Sequence, residues 1–147
     1  MGKRRKAREA ALQALYQLDL SNWEKQGDIR ELLTQVHRGE PLGPVSEAYA
    51  ATLVEGVSAS RAEIDAALSS AAEKWDISRM ADVDRNLLRL STWELMFESE
   101  TPVGVIINEA VTLAKRFGDK DTPSFVNGIL DRVAREVRAA KDAADAK

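Results

Sequence analysis

The side chains best suited to chemistry crowd into one short stretch. Lys3, Arg4, Arg5, Lys6 and Arg8 place five of the chain's 21 basic residues within six positions, with no acid among them. The other positions then hold 16 basic against 24 acidic residues, so a cationic head sits on an acidic body. A split of this kind points to a local contact with a polyanion rather than to general adhesion. The competing reading is a solvated, frayed N-terminus. On a helical wheel of about 100° per residue, Arg5, Arg8, Leu12 and Tyr16 fall within about 80° of one another, beside the apolar stripe rather than on it. Guanidinium forks bind phosphate through paired hydrogen bonds and stack on bases, while a tyrosine ring stacks and its hydroxyl hydrogen-bonds, so the row suits single-stranded RNA. Periodicity leaves a second reading open, in which Tyr16 is a half-buried core-edge ring and the arginines are merely solvated. Cations at a helix N-terminus oppose the helix dipole by about 0.3–1 kcal/mol each, a penalty that a bound polyanion offsets.

Other chemistry finds little support. The single histidine, His37, stands in a polar segment beside Gly39 without metal-ligand spacing, and reads as a surface loop residue. The absence of cysteine excludes a disulfide framework, Cys-ligated zinc and thiol catalysis, and fits a reducing cytoplasm. No pair of acids is marked by spacing as general acid and base, and no strand leads into a glycine-rich phosphate loop. The sequence therefore predicts no enzyme, no metal and no cofactor. Glu94 is the one acid that stands out. It falls between Val83, Leu87 and Leu90 on its wheel, and a buried carboxylate must be paired, hydrogen-bonded or protonated. Its neighbours at i−4 and i+4, Leu90 and Glu98, cannot neutralise it, so its partner must come from another helix, in a structural tie.

These residues must be carried by helices, since apolar side chains recur at helical spacing nearly throughout and no period-2 alternation is sustained. The first helix runs from about Lys3 to Leu20, with Ala7, Ala11, Ala14, Leu15 and Leu18 on its core stripe. Asp28 reads as the N-cap of a second, carrying Ile29, Leu32, Leu33 and Val36. Pro44 suits the first turn of a third, with Val45, Tyr49, Leu53 and Val57. Ser60 and Glu63 have capping-box spacing ahead of a fourth, with Ile64, Ala67, Leu68, Ala71 and Trp75 on its stripe. The pattern breaks at Asp76–Ala81. A fifth helix, about Asp82 to Glu98, is apolar on almost every side and should be a buried central element. Thr101-Pro102 opens a sixth that Gly118 closes, with Ile106, Ala110, Leu113, Ala114 and Phe117 inside, and Pro123 starts a seventh carrying Phe125, Ile129, Val133 and Val137. Asn127-Gly128, a hairpin signal in isolation, lies inside that last helical pattern, and Gly128 reads as a point of close helix approach.

The prediction is an all-α fold of 147 residues: seven helices in two bundle-like subdomains, 1–75 and 76–138, within a single domain, followed by a frayed tail over 139–147. No segment approaches 18 uninterrupted apolar residues, and no apolar signal core follows the charged N-terminus, so neither a membrane span nor a secretory signal is read.

Several of these segments resemble one known family. Arg4-Arg5-Lys6-Ala7-Arg8-Glu9 followed by Ala14-Leu15-Tyr16 resembles the arginine-rich N-terminal motif of the NusB family of bacterial transcription antitermination factors. Trp75 to Met80, Asp84-Arg85, Leu88-Arg89 and Trp93-Glu94-Leu95 are similar to its central signature. The most specific block runs through Ile107-Asn108-Glu109-Ala110-Val111, Leu113-Ala114-Lys115, Phe117-Gly118, Asp121 and Phe125-Val126-Asn127-Gly128-Ile129-Leu130-Asp131. Together these span about residues 4–131 in family order, while residues 21–45 carry little of the likeness.

The resemblance implies two perpendicular three-helix bundles, the first helix displaying the RNA-binding arginines. It implies a cytoplasmic adaptor that binds boxA-type RNA together with the small-subunit ribosomal protein also called NusE. That complex joins other Nus factors on RNA polymerase, chiefly in ribosomal RNA operons. By motif match, Arg4, Arg5, Lys6, Arg8 and Tyr16 form the RNA-facing set, while Asp84, Asp121 and Phe125 match the ribosomal-protein interface. Phe125 also has a packing reading, as the first core residue of its helix. The alanine-rich run between Ile64 and Trp75 has no clear counterpart of an aromatic that some relatives use near RNA. Some relatives self-associate and cover the arginine helix, so a homodimer is compatible with this adaptor and equally with a helical dimerisation protein lacking an RNA role. A NusB-like domain also precedes some RNA methyltransferase domains, but the cofactor-binding pattern such an enzyme needs is missing here.

Overall fold

The computed structural model describes residues 2–23, 29–36 and 41–145, and among these there are seven α-helices and no β-strand. They are α1 (Lys3–Leu20), α2 (Ile29–Val36), α3 (Pro44–Ala59), α4 (Arg61–Ala71), α5 (Asp82–Phe97), α6 (Val103–Phe117) and α7 (Thr122–Asp145). A short 3₁₀ turn, Ile77–Arg79, separates α4 from α5. The expected N-cap Asp28 and the loop histidine His37 lie outside the described residues.

Local chemistry accounts for most of the boundaries. Pro44 occupies the first turn of α3, where its missing N–H costs nothing, and Gly43 before it takes a φ of 82° that glycine adopts without strain. Pro102 stands immediately before α6, and Gly118 ends that helix. A Cβ on Gly118 would lie 2.5 Å from the Cβ of Thr122, so only glycine lets α7 begin so close.

Helix α5 is the hub, packing against α1, α3, α4, α6 and α7. Leu87, Leu88 and Leu90 are fully buried there, as the sequence predicts for an element with apolar residues on nearly every side. Ala7, Ala11, Ala14, Leu15 and Leu18 of α1 are likewise buried. The charged residues of α5 join its neighbours to it. Arg85 and Asn86 donate to Asp19 at the end of α1, at 2.9 and 3.0 Å, and Arg89 forks onto Asp65 of α4 at 2.9 and 3.1 Å. Burial works against ionising Asp19, but the hydrogen bonds from Asn86 and Arg85 and the nearby Arg89 outweigh it and hold the carboxyl below its ordinary range. Trp23, in the left-handed region at φ 63°, has the guanidinium groups of Arg61 and Arg89 over its ring, 4.4 and 5.6 Å from its centre.

Four sequence expectations change. Gly128 is exposed on α7 and a Cβ there would meet nothing within 4 Å, so it is not a contact between helices. That part falls to Gly56 of α3, where a Cβ would run into the Trp93 ring of α5. Ser60 makes no side-chain cap to α4, because it ends α3 with its N–H on the Gly56 carbonyl and its φ of −114° and ψ of 21° are not the extended backbone of a capping residue. Trp75, placed on the core stripe of the fourth helix, lies past its end at Ala71 and is 58% exposed. Residues 139–145, read as frayed, continue α7. They are exposed, and the alanine-rich composition favours a helix there without tertiary contacts.

Candidate nucleic-acid interface

Glu94 is 1% exposed on the inner side of α5. Its partner comes from another helix, as its wheel position requires: Arg8 of α1 donates from Nε to Oε1 at 2.9 Å and from Nη2 to Oε2 at 2.8 Å. Tyr49 of α3 donates its hydroxyl to Oε2 at 2.8 Å. One carboxylate thus ties three helices, and burial together with the Glu94 charge pushes the Tyr49 phenol well above its ordinary range.

This geometry changes the reading of the arginine row. Arg8 is only 3% exposed, with its fork occupied by Glu94, so it positions α1 instead of offering a free guanidinium to solvent. Leu12, in the same row, is also buried, and Tyr16 is half-buried at its end. The row that the wheel places beside the core stripe is partly core, because α5 packs closely enough to draw Arg8 inward.

The residues ahead of Arg8 are held in place rather than frayed. Ser46 donates to the Lys3 carbonyl at 2.9 Å. The Arg4 guanidinium lies 4.5 Å from the centre of the Tyr49 ring and donates to Thr101 Oγ1 at 2.9 Å, with Glu98 at 3.8 Å. Arg5 forks onto Glu109 of α6 at 2.9 and 3.1 Å. Lys6 is exposed, and the Arg4 side chain is half exposed. Farther along, Arg116 of α6 reaches Glu9 of α1 at 2.6 Å and lies 5.1 Å from the centre of the Phe117 ring. The cationic start of α1 is therefore seated on α3, on the α5–α6 turn and on α6.

A second cluster gathers where the α6–α7 turn meets the start of α5. Thr122 donates its hydroxyl to Asp84 at 2.9 Å, and the backbone N–H of Asp121 donates to Asp119 at 3.0 Å. Burial raises the Asp84 carboxyl above its ordinary range; the Thr122 hydrogen bond opposes this and the Asp119 charge adds to it. Asp121 is exposed, and its carbonyl accepts from the Phe125 N–H in the first turn of α7. The half-buried Phe125 ring packs edge-to-face on Trp75, with centres 5.0 Å apart at 81°. Asp84 thus bonds the first residue of α7, and Asp121 and Phe125 flank that residue in the chain. Trp75 joins them unforeseen, the only sequence signal being its place just before the break at Asp76.

A helical body with a cationic edge tied down by side-chain bonds, and an acidic and aromatic cluster elsewhere, has the layout of a binding protein. Among the described residues there is also no grouping of His, Cys, Asp and Glu fit to hold a metal ion. The chain belongs to the NusB family, whose pattern matches residues 5–135. It is 45% identical over 135 residues to the transcription antitermination protein NusB of Geobacter sulfurreducens, covering 91% of this chain and 95% of that one. The NusB of Trichlorobacter lovleyi is 44% identical over 133 residues, with coverage of 90% and 91%. Among solved structures, T. maritima NusB matches with a TM-score of 0.80 and 38% identity, covering 90% of this chain and 91% of that one. A crystal structure of antitermination factors NusB and NusE in complex with double-stranded RNA matches at 0.77 and 30%, covering 91% and 97%.

Proposed function

We propose that this protein is a transcription antitermination adaptor that binds boxA-type single-stranded RNA together with the ribosomal protein also called NusE. The observation that carries the reading is the cationic start of α1, which is pinned to the folded body with Arg4 and Lys6 facing solvent. A preordered cationic edge loses little conformational entropy when a polyanion docks. Relatives named as antitermination proteins support the antitermination role, and a structural neighbour solved with NusE and double-stranded RNA supports RNA and NusE as partners.

In this reading Arg4, Arg5, Lys6 and Tyr16 face the RNA, while Arg8 orients the helix that bears them. Asp84, Asp121 and Phe125 receive the ribosomal protein. Residues 1–75 form the half that brings the RNA and residues 76–138 the half that brings the protein companion. The complex then joins other Nus factors on RNA polymerase in the cytoplasm, and a homodimer covering α1 is an alternative resting state. Among the described residues, no helix is long and apolar enough to cross a membrane.

The test is titration with a boxA-type oligoribonucleotide, with and without the ribosomal protein. Binding should be weak alone and tighter with the protein present. If three to five phosphates are neutralised, log affinity should fall against log salt with a slope of about −2 to −3.5. A flat salt response, or no association with either partner, overturns the reading.

A further inference from the structure

Helix α1 contains one acid between its cationic start and Tyr16, and that acid is Glu9. It follows Arg5 by four positions and Lys6 by three, so it stands on the path that a strand must take from the basic start toward the tyrosine ring. An uncovered carboxylate there would repel each phosphate passing it. Glu9 is not uncovered: its side chain is 15% exposed, and Arg116 of α6 lies across it with Nη1 2.6 Å from Oε1. The Arg116 side chain is itself 63% exposed, although Nη1 is on Glu9 and its guanidinium carbon is 5.1 Å from the centre of the Phe117 ring. A guanidinium has five N–H donors in a planar fork, so one bond to a carboxylate leaves others for an oxyanion outside. The Arg116–Glu9 bond therefore sets a second, largely exposed guanidinium beside the row, at the position of its only acid.

We propose that Arg116 is a further RNA-contacting residue: it covers Glu9 and donates directly to an RNA phosphate, making the binding edge a seam of α1 and α6 rather than one face of α1. The inference rests on the RNA-binding reading above and adds a second helix to it. The helix spacing that marks Arg5 and Tyr16 cannot reveal such a contact, because Arg116 is 107 positions from Glu9 and reaches it only because α1 and α6 both pack on α5.

The experiment measures affinity of the full chain for a boxA-type oligoribonucleotide over a range of salt, for the native protein and for Arg116→Ala, Glu9→Gln and the double variant. Arg116→Ala should weaken binding roughly tenfold at low salt, through the lost contact and the exposed carboxylate. The magnitude of the salt slope should fall by about 0.7, the value for one phosphate on a single strand. The double variant should regain part of the affinity but keep the reduced slope, because a neutral amide no longer repels phosphate while the contact is still missing. Full recovery of both affinity and slope in the double variant overturns the direct contact, and so does an unchanged Arg116→Ala. Thermal unfolding of each variant checks that the fold is retained, since Arg116 is open to solvent while the Glu9 side chain is largely covered. If the native chain itself binds no RNA, it is the functional reading that fails, and the two failures are distinct.

Discussion

Arg8 and Glu94 carry opposite charges out of water together, and the consequences for mutation are asymmetric. Removing either partner leaves a buried charge without compensation, which typically costs about 3–5 kcal/mol. Arg8→Ala should therefore lower the stability measured by urea unfolding by about that amount, and RNA binding should fall with it because α1 loses its anchor. Tyr49→Phe removes one hydrogen bond to the same carboxylate and should cost about 1–3 kcal/mol, with the fork from Arg8 intact. Equal losses in the two variants would show that the tie is not centred on the ion pair. The titrating groups around α5 act in opposite directions. Asp19 is held below its ordinary range in the folded chain, so its contribution is complete above the unfolded pKa and is lost as pH falls through the folded one. Asp84 is raised, so its preference for the protonated form favours folding below the unfolded pKa, and that contribution is lost as pH rises through the folded value. Urea midpoints measured between about pH 3 and 7 should show weaker acid destabilisation for Asp19→Asn than for the native chain once each is scaled to its own neutral value.

At the scale of elements, two glycines of like context should respond oppositely to alanine. Gly128 lies in the interior of α7 facing open space, so Gly128→Ala should stabilise the protein by about 1 kcal/mol through helix propensity alone. Gly56→Ala forces a methyl against the Trp93 ring and should destabilise by about 1–3 kcal/mol. Thermal melts of the two variants decide the matter, and a loss of stability in Gly128→Ala would mean that α7 packs more closely than its exposed face indicates. The element boundaries were largely legible in the residues. Lys3–Leu20 emerges with the limits that periodicity marks, and Ile29–Val36 is helical as its spacing requires, because hydrogen bonds at i→i−4 and an apolar stripe are both local properties. The capping box at Ser60 was misleading because a local motif cannot show that the preceding helix runs without a gap into the next.

For the whole molecule, the two faces should separate by mutation. Phe125→Ala removes half of the aromatic pair, and in the proposed role it should weaken association with the ribosomal protein by roughly tenfold or more while RNA-only affinity stays near native. Trp75→Ala should act in the same direction, since its ring backs Phe125 and is open to a partner. Calorimetry with the ribosomal protein and an RNA titration run in parallel check both, and equal loss of the two activities would indicate damage to the fold instead.

Composition, periodicity and the Pro and Gly positions were enough to establish an all-helical chain, a buried α5 and a concentrated cationic start, because each depends on residues within a few turns of one another. They also showed that Glu94 needed a partner from elsewhere. Which residue answered that need was decided by tertiary structure, since Arg8 lies 86 positions away and reaches the carboxylate only when α1 crosses α5. The same holds for Arg116 on Glu9 and for Trp75 against Phe125. A helical wheel shows which way a side chain leaves its own helix, but whether it meets water or a charge depends on the neighbouring helix.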